Sequence, residues 1–385
     1  MLRLTKGSIL PALVLIVSLP NVARSDEPRP DPARLKAHVA KLASPEFGGR
    51  RDAGAMKTRA YLVAQFKALG LPPLFAEGYE QKVPGVDPKI VAGKNVGAKL
   101  VGSDPKLRDE WVIVSAHYDH LGERDGRLYP GADDNATGVA MMIEVARSLV
   151  ESPTKPKRSV MFVGFDLEEA GLWGSRYFAE HMPVPLEKVK LFVTADMIGR
   201  ALGGVCERQV FVMGSEHIAP IRESLERSSV GLPIEVGTLG ADVLLIDRSD
   251  YGPFRSRKVP FLFFSTGENP CYHTPEDTPE TIDYPKFTAI SRLIYGVVRE
   301  AVVGEAPLPK WSDSPDHPLA EALTIRDVFK LMLEHRQELK ISGTQAFIMR
   351  NAIRNLDAIA SRRVYTPGER AGLIRVAQAI LATVF

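Results

Sequence analysis

Four apolar runs, each followed closely by acids or imidazoles, constrain this chain more than any other feature. They are WVIVSA (111–116), SVMFVGF (159–165), KLFVTA (190–195) and VPFLFFS (259–265). Runs that are apolar throughout belong to strands buried on both faces, because a strand with one wet face alternates polar and apolar residues. Helical periodicity lies between some of them, most clearly in GVAMMIEVARSLVE (138–151). The pattern predicts an α/β fold: a three-layer sandwich with a mixed, mostly parallel central sheet and helices on both faces.

The rest of the chain arranges itself around that sheet. From Asp31 to about Gly70 the apolar spacing is helical, with Gly70 as a terminal cap, and loops with short strands follow to about Asp109. The Gly-rich stretch 200–258 reads as strands, loops and a helix bordering the sheet edge. At GEAPLPKWSDSPDHP (304–318) the composition turns to Pro, Ser and acid, as in a linker, and helical periodicity then resumes. We expect a main domain over 26–303, a linker over 304–318 and a C-terminal helical extension over 319–385.

The first 25 residues are set apart. Arg3 and Lys6 precede an apolar run from Ile9 to about Leu19, and small residues at Ala23 and Ser25 precede DEPRPDP. This is the layout of a cleaved secretory signal, and the run is short of the roughly 20 apolar residues that span a bilayer. The expected product is exported, periplasmic or secreted, with no membrane attachment after cleavage. Without Arg3, Lys6 and Arg24 the 49 basic residues become 46, against 47 acidic ones, a net of −1. No basic field remains to attract nucleic acid or an anionic membrane. Cys206 and Cys271 are compatible with a disulfide or with two free thiols, and the oligomeric state is left open.

The polar residues fall at the carboxyl ends of the four strands. The first strand gives His117 and Asp119, followed by GADDNATG with Asp133 and Asp134; the second gives Asp166, Glu168 and Glu169; the third, Asp196; the fourth, His273 after a short loop. Any one of these is unremarkable, since an Asp after a strand commonly caps a turn and a Glu pair commonly opens a helix. Four in succession converge on one edge of a parallel sheet, where α/β proteins bind ligands. Carboxylates crowded beside a core repel one another and lose hydration, and bound cations relieve both costs.

Two imidazoles and three carboxylates suit two zinc-like ions that share one carboxylate. His117 and Asp119 stand two apart and face one side of an extended chain, so Asp119 can orient the His117 ring. His120 then faces away, toward a structural or pocket-wall role.

HYDHLG, GADDNATG, FDLEEAGLWGS, TADMIGR and YHTPEDT stand in the order and approximate spacing of the secreted zinc aminopeptidases, which the chain resembles over roughly residues 30–303. That family shares its catalytic domain with glutamate carboxypeptidase II and the glutaminyl cyclases. The resemblance implies a two-Zn2+ peptidase acting on peptides with a free N-terminus. His117 and Asp196 would bind one zinc, Glu169 and His273 the other, and Asp134 both. It further implies Glu168 as general base, Asp119 as orienter of the histidine ligand and Tyr272 as a donor to the oxyanion. A protease-associated insertion, common in the family, has no room between Ala76 and Asp109.

Three other functions compete. A glutaminyl cyclase on the same fold uses one zinc, a carboxypeptidase needs a cationic clamp such as Arg200 or Arg248, and a non-enzymatic binding domain normally lacks ligands or base. Here every ligand and Glu168 are present.

Overall fold

The computed structural model describes residues 27–384; the expected export signal lies outside them. Helix α1 (Pro32–Leu42) starts at Asp31, whose side chain accepts the Arg34 amide, with Pro32 in the first turn where its missing N–H costs nothing. Helix α2 (Ala53–Ala68) ends just before Gly70, which adopts φ +68°. Then come β1 (Glu80–Pro84), β2 (Val91–Leu100), β3 (Trp111–His117) and a small hairpin of β4 (Gly122–Arg124) and β5 (Arg127–Tyr129). They are followed by α3 (Gly138–Glu151), β6 (Ser159–Phe165), α4 (Trp173–Glu180), β7 (Val189–Ala195), β8 (Gln209–Met213), α5 (Ile221–Ser229) and β9 (Glu235–Leu239). The chain continues through α6 (Gly252–Arg255), β10 (Phe261–Ser265) and α7 (Tyr284–Val303) to α8 (Leu319–Glu334), α9 (Gly343–Arg362) and α10 (Pro367–Val384).

Eight strands form one sheet in the order β1-β2-β6-β3-β7-β10-β8-β9. The four runs singled out in the sequence are its centre, and β6, β3, β7 and β10 are mutually parallel. Antiparallel pairing enters on both flanks, at β1–β2–β6 and at β10–β8. Each central strand feeds both faces by the period-two rule: Val112 and Val114 pack into one cluster and Ile113 into the other, as Phe162 and Phe165 do on β6. Helices α1, α2, α3, α5 and α7 cover the first face, and α4 and α6 cover the second, where the ring of Phe254 stacks on Phe192 at 3.9 Å. Truncating a buried Phe such as Phe162 would cost about 3–5 kcal/mol.

The C-terminal helices join that second cluster. Ala322, Ile325, Phe329 and Met332 of α8 share it with Phe211 and Phe263 of the sheet. The segment 304–318 is held against the body: the Asp316 amide donates to the Glu216 carbonyl, and Trp311 stacks on His217 at 3.7 Å. Cys206 and Cys271 are both free, and burial pushes the Cys206 thiol up to about 12. No helix of the described residues is long and apolar enough to cross a membrane.

Candidate metal centre

Because the four central strands are parallel, their carboxyl ends open on one edge, and the loops beyond them meet there. His117 is the last residue of β3, Asp196 follows β7, and Glu168 and Glu169 follow β6 after Asp166 and Leu167. Asp134 lies between β5 and α3, and His273 in the loop after β10. These residues form two adjoining groups. The ligand-capable atoms of His117, Glu168 and Asp196 all lie within 4.8 Å of one another, as do those of His120, Asp134, Glu169 and His273.

Asp134 joins the groups. Its Oδ1 is 3.4 Å from His117 Nε2, and its Oδ2 is 3.1 Å from His273 Nε2. His117 Nε2 is also 3.2 Å from Asp196 Oδ1, and His273 Nε2 is 3.3 Å from Glu169 Oε2. Asp133, its neighbour, points elsewhere: its carboxylate accepts the Gly199 amide at 2.7 Å and the Asn269 side chain at 3.0 Å.

These donors fit divalent zinc-like ions. His117 Nε2 and Asp196 Oδ1 are buried, converge on the same space and make no hydrogen bond. Burial opposes charge on His273, yet bonds to Asp134 and Glu169 outweigh it and raise the imidazole to about 10. A place that holds a proton so firmly between imidazole and carboxylate suits a cation, which displaces that proton on binding.

Asp119 stands beside His117 and also holds the turn after β6. Its carboxylate oxygen is 3.6 Å from His117 Nδ1, while its main-chain carbonyl is closer, at 3.2 Å. The two carboxylate oxygens accept the amides of Glu168 and Glu169, at 3.1 and 3.2 Å. Asp119 therefore fixes the turn that presents both glutamates as well as flanking the histidine.

Burial pushes the Glu168 carboxyl well above the usual range; His117 opposes the shift, and Asp196, Asp250 and Asp119 add to it. A carboxylate that binds protons more tightly than usual is suited to take one and pass it on. The Tyr272 ring stacks on His273 at 3.9 Å, and burial raises its phenol, which stays protonated and able to donate. Asp134, Glu168, Asp196, Tyr272 and His273 all border one cavity of about 600 Å3.

Four further residues act here without a signal in the strand-end pattern. His120 does not turn away: its Nδ1 is 2.9 Å from Glu169 Oε1, so it orients the carboxylate whose other oxygen faces His273. Asp277 accepts the amides of Asp133 and Asp134 and so ties the YHTPEDT loop to GADDNATG. Arg50, fully buried, donates to the carbonyls of Leu42, Tyr118, Pro130, Gly131 and Asp134. Asp250 is a buried carboxylate whose two oxygens make no hydrogen bond, raised by burial to about 7.

The chain is similar to known proteins. The chain is 28% identical over 201 residues to the aminopeptidase YwaD of Bacillus subtilis (strain 168), covering 50% of this chain and 42% of the relative. It is also 28% identical over 247 residues to a glutaminyl-peptide cyclotransferase of Boiga dendrophila, covering 54% and 66%. It thus spans between about two fifths and two thirds of these relatives' lengths. Among solved structures, the aminopeptidase from Aneurinibacillus sp. strain AM-1 superposes with a TM-score of 0.59 over 75% of this chain and 98% of its own. At 16% identity that likeness is one of fold. Residues 95–298, more than half of the sequence, match the model of Peptidase family M28, and the chain belongs to that family.

Proposed function

We propose that this protein is an exported metallo-aminopeptidase that hydrolyses the N-terminal peptide bond with the help of two zinc ions. The observation that carries the reading is the Asp134 carboxylate, whose two oxygens face the two histidine-containing groups separately. His117 and Asp196 would hold one ion, Glu169 and His273 the other, and Asp134 both. The relatives support the zinc-peptidase reading, since they include an aminopeptidase and a probable zinc metalloprotease of Pyricularia oryzae, 31% identical over 226 residues.

Zinc bound there would polarise the scissile carbonyl and lower the pKa of a water. Glu168 takes the proton of the attacking water and delivers it to the leaving amine. Tyr272 donates its phenolic hydrogen to the oxyanion of the tetrahedral intermediate. His120 and Asp119 keep Glu169, Glu168 and His117 in register, so little reorganisation accompanies the reaction. The surrounding acids attract a substrate α-ammonium, which selects free N-termini.

A carboxypeptidase would need an uncommitted cation. Arg248 reaches the cavity, but its guanidinium is paired with Glu268, and Arg200, whose Nη1 makes no hydrogen bond, does not line the cavity. The export signal in residues 1–25 predicts a mature chain that begins at Asp26, which intact-mass measurement of the secreted protein reads directly.

Elemental analysis and release of a chromogenic amine from aminoacyl substrates test the reading together. It requires about two zinc ions per chain and activity that a chelator abolishes and zinc restores. A chain that retains full activity after complete metal removal contradicts it.

A further inference from the structure

The family match ends at residue 298, before α8, α9 and α10 begin. Two of these helices, α8 and α10, nevertheless reach the cavity at the metal centre. Ile325, Val328, Phe329 and Met332 of α8 line it, and their spacing of three, four and seven places them on one face of the helix. Ala377 and Leu381 add a stripe from α10. Phe211, Met213 and Phe263 stand on the sheet side, and Glu168 and Tyr272 lie at the polar end.

The wall is fastened in place. Arg370 of α10 donates to Asp242 at 2.6 and 2.8 Å and to Glu321 of α8 at 2.7 and 2.8 Å. Glu321 accepts the Gly240 amide at 2.8 Å, and Gln378 donates to the Asp242 carbonyl at the same distance. The loop carrying Leu244, Leu245 and Ile246 is thus clamped between the helices and the site. Leu245 and Ile246 also border the cavity while remaining 70% and 68% exposed. Largely exposed aliphatic side chains beside an apolar cavity gain by covering an apolar part of a ligand.

We propose that α8 and α10 form the outer wall of the substrate pocket and select a large aliphatic or aromatic residue beside the bond that is cut. The proposal rests on the aminopeptidase reading for the identity of the substrate. Its observation is separate: a cavity of about 600 Å3, within the usual range for pockets that enclose small ligands, lined by apolar side chains from a segment beyond the family domain.

The test fills the pocket from the helical side in the zinc-loaded full-length protein. Val328→Trp does so from α8 and Ala377→Phe from α10, and either variant that keeps its thermal transition suffices. The ratio of kcat/KM for phenylalanyl over alanyl p-nitroanilide should favour phenylalanine in the parent protein. It should fall about tenfold or more in the variant, since one misplaced methylene already shifts such ratios by 10-fold or more. An unchanged ratio, or a parent that prefers alanine, overturns the proposal. Calorimetric binding of phenylalaninol and alaninol separates its failure from failure of the aminopeptidase reading. A protein that cleaves neither amide, yet binds phenylalaninol more tightly and loses that preference on filling, keeps the wall and loses the peptidase. Equal binding of the two amino alcohols overturns the wall.

Discussion

Asp133 and Asp134 are consecutive buried carboxylates that point into different environments. Asp134 faces His117 and His273, and Asp133 ties Gly199 and Asn269 to its own loop. Asp134→Ala should therefore deplete both metals, whereas Asp133→Ala should leave at least one fully occupied and lower the thermal midpoint. Metal stoichiometry of the two purified variants checks this, and the reverse pattern would shift the shared ligand by one residue.

Glu168→Gln keeps the shape and removes the proton acceptor. Loss of general-base catalysis lowers kcat by about 10² to 10⁴. Both metals should stay bound, because the five proposed ligands remain. Near-normal kcat in a metal-replete variant would remove Glu168 from the mechanism.

Much of this centre is legible in the sequence, because parallel strands deliver their carboxyl ends to one edge and acids or imidazoles stand at each of them. The rest depended on geometry that sequence spacing does not carry. Alternation places His120 outward, but β3 ends at His117, so period two does not fix the direction of the residues beyond it. Arg50 sits between two helices in PEFGGR, and nothing local marks it as the donor to five carbonyls from distant loops. Asp250 lies in the mixed stretch 200–258, away from any strand end. The C-terminal helices were readable as helices, but their part in the cavity depends on how they dock on β9 and the 240–246 loop.

Arg50→Met removes the guanidinium that satisfies those five buried carbonyls. Each stranded acceptor costs roughly 1–3 kcal/mol, partly recovered by water, so the variant should lose at least about 3 kcal/mol. Urea unfolding followed by fluorescence measures it. A loss under about 1 kcal/mol would mean the carbonyls are satisfied in another way.

Glu321 makes the helical wall sensitive to acid. Burial raises its pKa, but the nearby His317 and the bonds from Arg370 overcome this and hold it at about 2, below the ordinary 4.5. A depressed folded-state value contributes stability that is complete above about pH 4.5 and is lost as pH falls toward 2. The contribution is on the order of 3 kcal/mol. Between pH 5 and 2 the parent protein should lose more stability than Glu321→Gln by about that amount. Identical pH slopes for the two proteins would show that the anchor does not depend on this charge.

The most direct measurement of the central claim uses one peptide and its N-acetylated twin, followed by mass spectrometry with the zinc-loaded protein. Acetylation removes both the charge and the lone pair of the α-amino group. An aminopeptidase releases residues stepwise from the free peptide and leaves the acetylated one nearly untouched. A carboxypeptidase shortens both, and a cyclase converts an N-terminal Gln to pyroglutamate without cutting any bond. This account predicts N-terminal release from the free peptide alone. Equal cleavage of both twins would contradict it even if His117, Asp134, Glu169, Asp196 and His273 all proved to bind metal.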